Sequence, residues 1–267
     1  MKKILFFILS SLLLLTAPSS LEAKSSSSIT AKSYLVIDDS SGRIVTSWGR
    51  SNARPIASTT KLLTALGVMR SGSLNDPVRI SANAAAQVPS KAGLLEGEVW
   101  TRGELLKALL IKSANDAAVA LAEDIAGSEA AFCKKITALA GTLGCEQTLI
   151  KRASGLNAKG QYSCASDLAR ISKAAFANAH LRKILDMKEC SVKSRDGRTL
   201  RFRSHNKLLH DEGGSVPGKT GYTKSSGKCF AGRMIIKGRS HTVVVLGSQN
   251  LWGDLKTLRS RAVARSR

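Results

Sequence analysis

The sequence has 267 residues, of which 43% are hydrophobic, 22% charged and only 4% aromatic. That apolar share suffices for a packed core and excludes wholesale disorder. Lys and Arg total 41 against 19 Asp and Glu, a formal charge of +22, which points to an anionic neighbour: nucleic acid, a membrane surface or an anionic wall polymer. The scarcity of aromatics and the lack of a recognisable nucleic-acid motif argue against the first, so no nucleic-acid partner is expected.

Residues 1–23 read as a secretory signal. Lys2 and Lys3 precede an apolar run, Ile4 to Thr16, that is short for a membrane span, and Ala23 ends a polar stretch. An uncleaved anchor is the alternative. Removal of this segment takes only Lys2, Lys3 and Glu22 from the charged residues, so the basic excess belongs to the remainder. Residues 24–32 are Ser-rich and expected to be a flexible lead-in, and residues 33–267 a single domain. Five cysteines (Cys133, Cys145, Cys164, Cys190 and Cys229) show neither a CxxC pair nor zinc spacing. Buried free thiols are expected, with one disulfide left open and no pairing deducible. No metal or cofactor is expected.

In chain order, Ser33–Asp38 and Arg43–Trp48 are two apolar runs around the turn-prone Asp39-Ser40-Ser41-Gly42, a hairpin. Leu62, Leu63, Ala65, Leu66 and Met69 recur at helical spacing from Ser58 onward. Thr101, with Glu104 three residues on, reads as the capping box of a helix through Ile111. Helices are expected over Asn115–Ala126, Glu129–Leu143 and Ser166–Ala179. The pattern then turns to strands at Cys190–Lys193, Leu200–Arg203, Lys228–Ile236 and His241–Leu246, before a last helix through Leu251, Trp252, Leu255, Leu258 and Ala262. The expected architecture is α+β: the N-terminal hairpin joins the C-terminal strands in one antiparallel sheet flanked by helices, the middle helices form a second lobe, and a cleft lies between them.

Three short patterns carry chemistry. Ser58-Thr59-Thr60-Lys61 opens a helix, where positions i and i+3 share a face, so the Ser58 hydroxyl and the Lys61 amine can meet. A serine needs a base, and a lysine is one only when neutral, a state favoured by burial and by a second nearby cation. Alone, the pattern reads equally as a helix cap with a surface lysine, and Ser204…Lys207 and Ser225…Lys228 are taken as chance matches. Ser113-Ala114-Asn115 precedes a helix and alone reads equally as an N-cap; Ser81-Ala82-Asn83 has the same letters without support. Lys219-Thr220-Gly221-Tyr222-Thr223 offers a cation, hydroxyls and backbone donors to an extended ligand, with Gly221 allowing close approach; a solvated loop or edge strand is the plain alternative. His180, His205, His210 and His241 sit in no catalytic motif and are expected to be surface or capping residues.

In combination, Ser-x-x-Lys, Ser-x-Asn and Lys-Thr-Gly in this order resemble the serine penicillin-binding proteins and serine β-lactamases. The flanks Arg54–Thr64, Lys112–Ala118 and Gly218–Thr223, with Ser154-Gly155-Leu156 and Gly160-Gln161-Tyr162-Ser163, resemble the low-molecular-weight D-alanyl-D-alanine carboxypeptidases. The resemblance implies the fold those proteins share, an exported enzyme in the periplasm or on the outer face of the cytoplasmic membrane, a peptidoglycan stem peptide ending in D-Ala-D-Ala as substrate, and β-lactams as covalent inhibitors. It implies Ser58 as nucleophile, Lys61 as general base and Ser113 as proton relay. Asn115 would bind the substrate amide, Lys219 and Thr220 would hold its carboxylate and set the field around Lys61, and Thr223 is a further candidate for the carboxylate. The backbone N–H groups of Ser58 and Tyr222 would form the oxyanion hole.

Members of that family often carry an arginine just after the strand equivalent to His241–Leu246, and Ser248-Gln249-Asn250 contains none. They also commonly continue into a β-rich domain and an amphipathic end, whereas this sequence runs one helix further. A class A β-lactamase deacylates with a glutamate between the second and third motifs, but no acidic residue lies between Glu146 and Asp167, and the second motif lacks the tyrosine of the class C type. An endopeptidase cutting D-amino-acid cross-links shares the motifs and stays open. A non-enzymatic cationic envelope binder would leave the triple motif unexplained. The basic end, Lys256 to Arg267, suits contact with anionic lipid or wall polymer, and equally a solvated helix face.

Overall fold

The structure, a computed structural model, describes residues 28–210 and 216–265; the expected signal at 1–23 lies outside them. Strands β1 (Ser33–Asp38) and β2 (Ile44–Trp48) form the expected hairpin. Its turn is tied by the Asp38 carboxylate, which accepts from the Ser40 N–H at 3.0 Å and the Ser40 hydroxyl at 2.7 Å. Helix α1 (Lys61–Met69) follows a 3-10 turn at Ala57–Thr60. The short strands β3 (Pro77–Arg79) and β4 (Val99–Thr101) pair outside the main sheet, with α2 (Ala82–Ala85) between them.

Thr101 caps α3 (Arg102–Lys107) by accepting the Glu104 N–H at 3.2 Å. Glu104 does not complete the box, because its carboxylate goes to Lys107 at 2.6 Å and to the Lys193 N–H at 3.1 Å. The helix expected through Ile111 widens to a π turn at Ala108–Lys112. Helices α4 (Asn115–Ala126) and α5 (Glu129–Thr142) follow. The next expected helix breaks at Asn178 into α6 (Ala165–Ala177) and α7 (Ala179–Leu185), since the Asn178 carboxamide accepts the His180 and Leu181 N–H groups and so starts a new helix. Strands β5 (Glu189–Lys193) and β6 (Thr199–Arg203) pair only with each other. The chain then forms β7 (Gly218–Thr223), β8 (Gly227–Ile236), β9 (Arg239–Ser248) and α8 (Leu251–Arg265).

The five-stranded antiparallel sheet has the order β2-β1-β9-β8-β7, so the N-terminal hairpin lies beside the C-terminal strands and β7 is an edge. Strand alternation sorts the apolar run of β9 between two cores. Val244 and Leu246 join Leu35 and Ala231 in the core shared with the helices of the middle segment, while Val243 and Val245 join Val36, Phe230 and Met234 against Leu251, Leu255, Leu258 and Ala262 of α8. The apolar stripe of α8 is thus core, as its spacing suggests. Part of its basic character fastens it to the hairpin: Arg265 donates to Val45 O at 2.9 Å and Arg261 to the Tyr34 hydroxyl at 3.5 Å. No helix among the described residues is long and apolar enough to cross a membrane.

Two expectations need correction. The lead-in is held at its end: Thr30 donates its N–H and hydroxyl to the Asp254 carboxylate of α8, both at 2.8 Å, and Ala31 is buried. A serine-rich composition does not reveal a distant carboxylate that docks it. His241 is not a surface or capping residue; it is buried in β9 with Nδ1 on Arg239 O at 3.0 Å. All five cysteines are free, with Cys133, Cys164 and Cys229 buried and Cys145 and Cys190 half-buried.

Candidate active site

The three motifs meet at one cleft of about 410 Å³, lined by Ser58, Ser113, Asn115, Thr220, Tyr222 and Thr223 among others. The 3-10 turn delivers Ser58, half-buried, just ahead of α1. Ala57 before it has φ +48, a left-handed conformation that costs a non-glycine residue about 1–3 kcal/mol and persists only where the surroundings impose it. The imposing contact is Gly155. A Cβ there would lie 2.1 Å from Ala57 O, so only glycine permits the approach.

That approach brings the Ser154 carbonyl into the site. Lys61, fully buried, donates to Ser154 O at 2.6 Å and Asn115 Oδ1 at 2.8 Å, and stands 2.9 Å from Ser58 Oγ. Ser58 Oγ itself is 3.4 Å from Ser154 O. Burial, then the charge of Lys219, pushes the Lys61 amine well below the usual lysine range. The 151–156 loop is held by Gln161, whose Oε1 accepts the Lys151 and Arg152 N–H groups and whose amide donates to Leu156 O, and by Glu129, which accepts the Ala153 N–H at 2.9 Å.

Ser113 ends the π turn in the left-handed conformation, φ +60, and Ala114 is extended before α4 begins at Asn115. This corner turns both Ser113 and Asn115 to the cleft. Asn115 is buried and doubly engaged, accepting from Lys61 and donating to Val88 O at 3.0 Å, which leaves one amide N–H for a ligand. The next residue, Asp116, is buried and makes no ion pair among the described residues. Its carboxylate accepts the N–H groups of Ala92, Gly93 and Leu94 at 2.9, 2.8 and 3.1 Å, pinning the loop whose Pro89 and Ser90 line the cleft.

The edge strand β7 forms the facing wall. Arg233 N–H donates to Pro217 O at 2.9 Å. In an antiparallel ladder the backbone groups alternate, so those of 217, 219 and 221 face β8 while those of Gly218, Thr220 and Tyr222 face away from it. Gly221 packs on the nucleophile's turn, where an added Cβ would lie 2.8 Å from Ser58 N. The chain entering Tyr222 therefore runs against the turn that carries Ser58. Lys219 is 2% exposed, donates to Thr220 O at 2.8 Å and does not line the cleft; burial lowers its pKa to about 7. Thr223 hydrogen-bonds to Ser226 within the β7–β8 turn, and Ser225 reaches Asn157 Oδ1 at 2.8 Å across the rim.

The look-alike patterns lie elsewhere. Ser81 caps α2, and Ser204 accepts the Asn206 N–H. The roles of Ser154, Gly155, Asp116 and Glu129 have no signal in the sequence as single residues; only the fragments Ser154-Gly155-Leu156 and Gly160-Gln161 hint at them. His205 and Lys228, both set aside at first, line the cleft. No group of three His, Cys, Asp or Glu able to hold a metal comes together among the described residues.

Comparison with known proteins agrees with this geometry. The family model for D-alanyl-D-alanine carboxypeptidase matches residues 20–250. The chain is 33% identical to D-alanyl-D-alanine carboxypeptidase DacF of Bacillus subtilis over 86% of its own length and 62% of that protein's. It is 31% identical to DacB2 of Mycobacterium tuberculosis over 85% of itself and 80% of that protein. A crystal structure of D-alanyl-D-alanine carboxypeptidase from M. tuberculosis superposes with a TM-score of 0.83 at 30% identity, covering 89% of this chain and 92% of that one. Site geometry, fold and sequence together establish that the chain belongs to the D-alanyl-D-alanine carboxypeptidase family of serine peptidases.

Proposed function

We propose that this chain is an exported serine D-alanyl-D-alanine carboxypeptidase, removing the terminal D-Ala of peptidoglycan stem peptides through an acyl-enzyme on Ser58. The observation that carries the reading is the hydrogen-bond count at Lys61. A neutral amine has two N–H bonds and one lone pair. Asn115 Oδ1 and Ser154 O accept the two N–H bonds, and the remaining contact, Ser58 Oγ at 2.9 Å, meets the lone pair. Burial and the Lys219 charge both favour that neutral state.

The Ser58 proton passes to the Lys61 amine as Oγ attacks the carbonyl carbon of the penultimate D-Ala. The oxyanion is held by the N–H groups of Ser58 and Tyr222. As the peptide bond breaks, the leaving D-Ala nitrogen takes a proton delivered through Ser113. Water then attacks the ester carbonyl, giving a proton to the again neutral Lys61 amine, which returns it to Ser58 Oγ as that oxygen leaves. Asn115 aligns the substrate amide with its remaining N–H, and the Thr220 and Thr223 hydroxyls serve the terminal carboxylate. Lys219 acts chiefly on the charge state of Lys61, because its amine lies beneath the cleft wall. β-Lactams acylate Ser58 by the same attack and persist, since the amine released on ring opening stays tethered beside the ester and no acidic residue among the described ones lines the cleft to activate water by another route. Residues 1–23 direct export to the periplasm or the outer face of the cytoplasmic membrane, and residues 33–267 act as one catalytic domain whose basic C-terminal helix suits an anionic envelope surface.

The test is intact-mass analysis after penicillin, paired with release of D-Ala from a pentapeptide. One stable adduct, lost in Ser58→Ala, together with D-Ala release is expected. Labelling that survives Ser58→Ala overturns the assignment, and preferential cleavage of internal cross-links over the terminal bond gives the endopeptidase instead.

A further inference from the structure

One end of the cleft is not used by this chemistry. Beyond Tyr222 and Thr223 it runs to Lys228, Leu251 and Trp252. Lys228 is the one lysine or arginine among the described residues lining the cleft, and no acidic residue offsets it there. The other candidate cations are poorly placed. Lys219 is buried beneath the wall, donates to Thr220 O and does not line the cleft. His205 has its pKa lowered by desolvation and by the charges of Lys219, Lys112 and Lys61, which disfavours its cationic form. The Ser248-Gln249-Asn250 stretch supplies no charge, and the Ser248 side chain is buried on Asp254 Oδ2 at 2.7 Å.

Lys228 is positioned by the fold. It stands directly opposite Tyr222 on one side and Ser248 on the other. A register shift between Lys228 and Phe230 marks a bulge at this end of β8 and β9, a device that re-aims side chains beside sites. Gly227, φ +66, and Gly247, φ +68, face each other there, and a Cβ on Gly227 would lie 3.2 Å from Gly247 Cα. The exposed Lys228 ammonium gives one hydrogen bond, to Gln249 O at 2.7 Å. An ammonium has three N–H bonds, so two can serve a ligand.

We infer that Lys228 reads the C-terminal carboxylate of the substrate and thereby selects a terminal D-Ala over an internal peptide bond. The inference rests on the carboxypeptidase reading above. With the scissile carbonyl at the Tyr222 N–H, the carboxylate lies one residue further, roughly 3.5 Å of extended chain. Lys228 is the direct cross-strand neighbour of Tyr222, with Cβ atoms about 5 Å apart and on the same face. A lysine side chain spans the remaining gap to such a group. Charge then discriminates, since an amide or a continuing chain offers no anion to the ammonium.

The experiment uses the full chain and an N-acylated peptide ending in D-Ala-D-Ala, as the free acid and as its C-terminal amide. The wild type is expected to prefer the acid. In Lys228→Met the ratio of kcat/KM for acid over amide falls about tenfold, chiefly through KM, the size expected for one charge-assisted contact in a half-open cleft. Lys228→Arg keeps most of the ratio. Loss of the Gln249 contact alone would instead slow both substrates equally and leave the ratio unchanged, and that result overturns the inference. Lys228→Gln, which can still bond Gln249 O, repeats the measurement if the Met variant folds poorly. The end-point of penicillin labelling on Ser58 separates the two levels: a wild type that does not label refutes the carboxypeptidase reading, whereas labelling with an unchanged ratio refutes only the role of Lys228.

Discussion

Gly155→Ala tests how the nucleophile is held. The added Cβ would lie 2.1 Å from Ala57 O, 2.6 Å from Ala57 C and 2.9 Å from Thr60 Oγ1, and Gly155 has φ +79. A left-handed alanine costs about 1–2 kcal/mol. Forcing a methyl against fixed backbone adds about 1–3 kcal/mol. The sum is a loss of about 2–5 kcal/mol, and relief requires moving either the Ser154 carbonyl or the strained Ala57 peptide. Both movements displace groups around Ser58 and Lys61, where an error of about 1 Å can cost a hundredfold in rate. Gly160→Ala is the matched control, with the same φ of +79 but nothing within 4 Å of its Cβ. Urea unfolding and the second-order rate of penicillin acylation report the two effects. Gly160→Ala should cost about 1–2 kcal/mol and leave acylation intact, while Gly155→Ala costs more and slows acylation at least about tenfold. Equal losses in the two variants, or an unimpaired acylation rate in Gly155→Ala, would refute the account of the Gly155 contact.

Lys61→Arg is expected to lose nearly all acylation although charge is kept, because arginine does not deprotonate at working pH; rate measurement against wild type checks this. Lys219→Met should raise the Lys61 pKa by removing a neighbouring positive charge, so the ascending limb of the acylation pH profile moves to higher pH and activity lost at pH 7 partly returns on alkalinisation. Lys219, about 7 when folded against an ordinary 10.5, binds fewer protons in the native than in the unfolded state between those values. Wild-type stability therefore rises as pH climbs from about 7 to 10.5, and denaturation should show Lys219→Met gaining most over wild type at pH 7 and below. Asp116→Asn should destabilise by about 3 kcal/mol or more, since one of two acceptor oxygens, each facing two backbone N–H groups, becomes a donor. Thermal unfolding measures that loss, and slower acylation should accompany it through the loop bearing Ser90.

Much of this molecule is local chemistry and could be read from the chain alone. The β-branched apolar run of His241–Leu246, the period of Asn115–Ala126 and the Thr101 cap are set by neighbours a few residues away, and each stands where expected. The three motifs singled out Ser58, Lys61, Ser113, Asn115 and Lys219–Thr223 because such short patterns carry their own spacing, and the fold brings them together at one cleft. What the chain could not reveal are interactions across large separations. The Ser154 carbonyl meets Lys61 93 residues away, and Thr30 docks on Asp254 across 224. A backbone carbonyl has no residue type, so no sequence pattern marks the one that orients Lys61. Burial bears on the rest: Lys219 reads in the sequence as a carboxylate-binding cation that also sets the field around Lys61, and its place under β7 supports the second role. Lys228, a chance match by its letters, is carried into the cleft only by the pairing of β7 with β8 and the bulge beside β9.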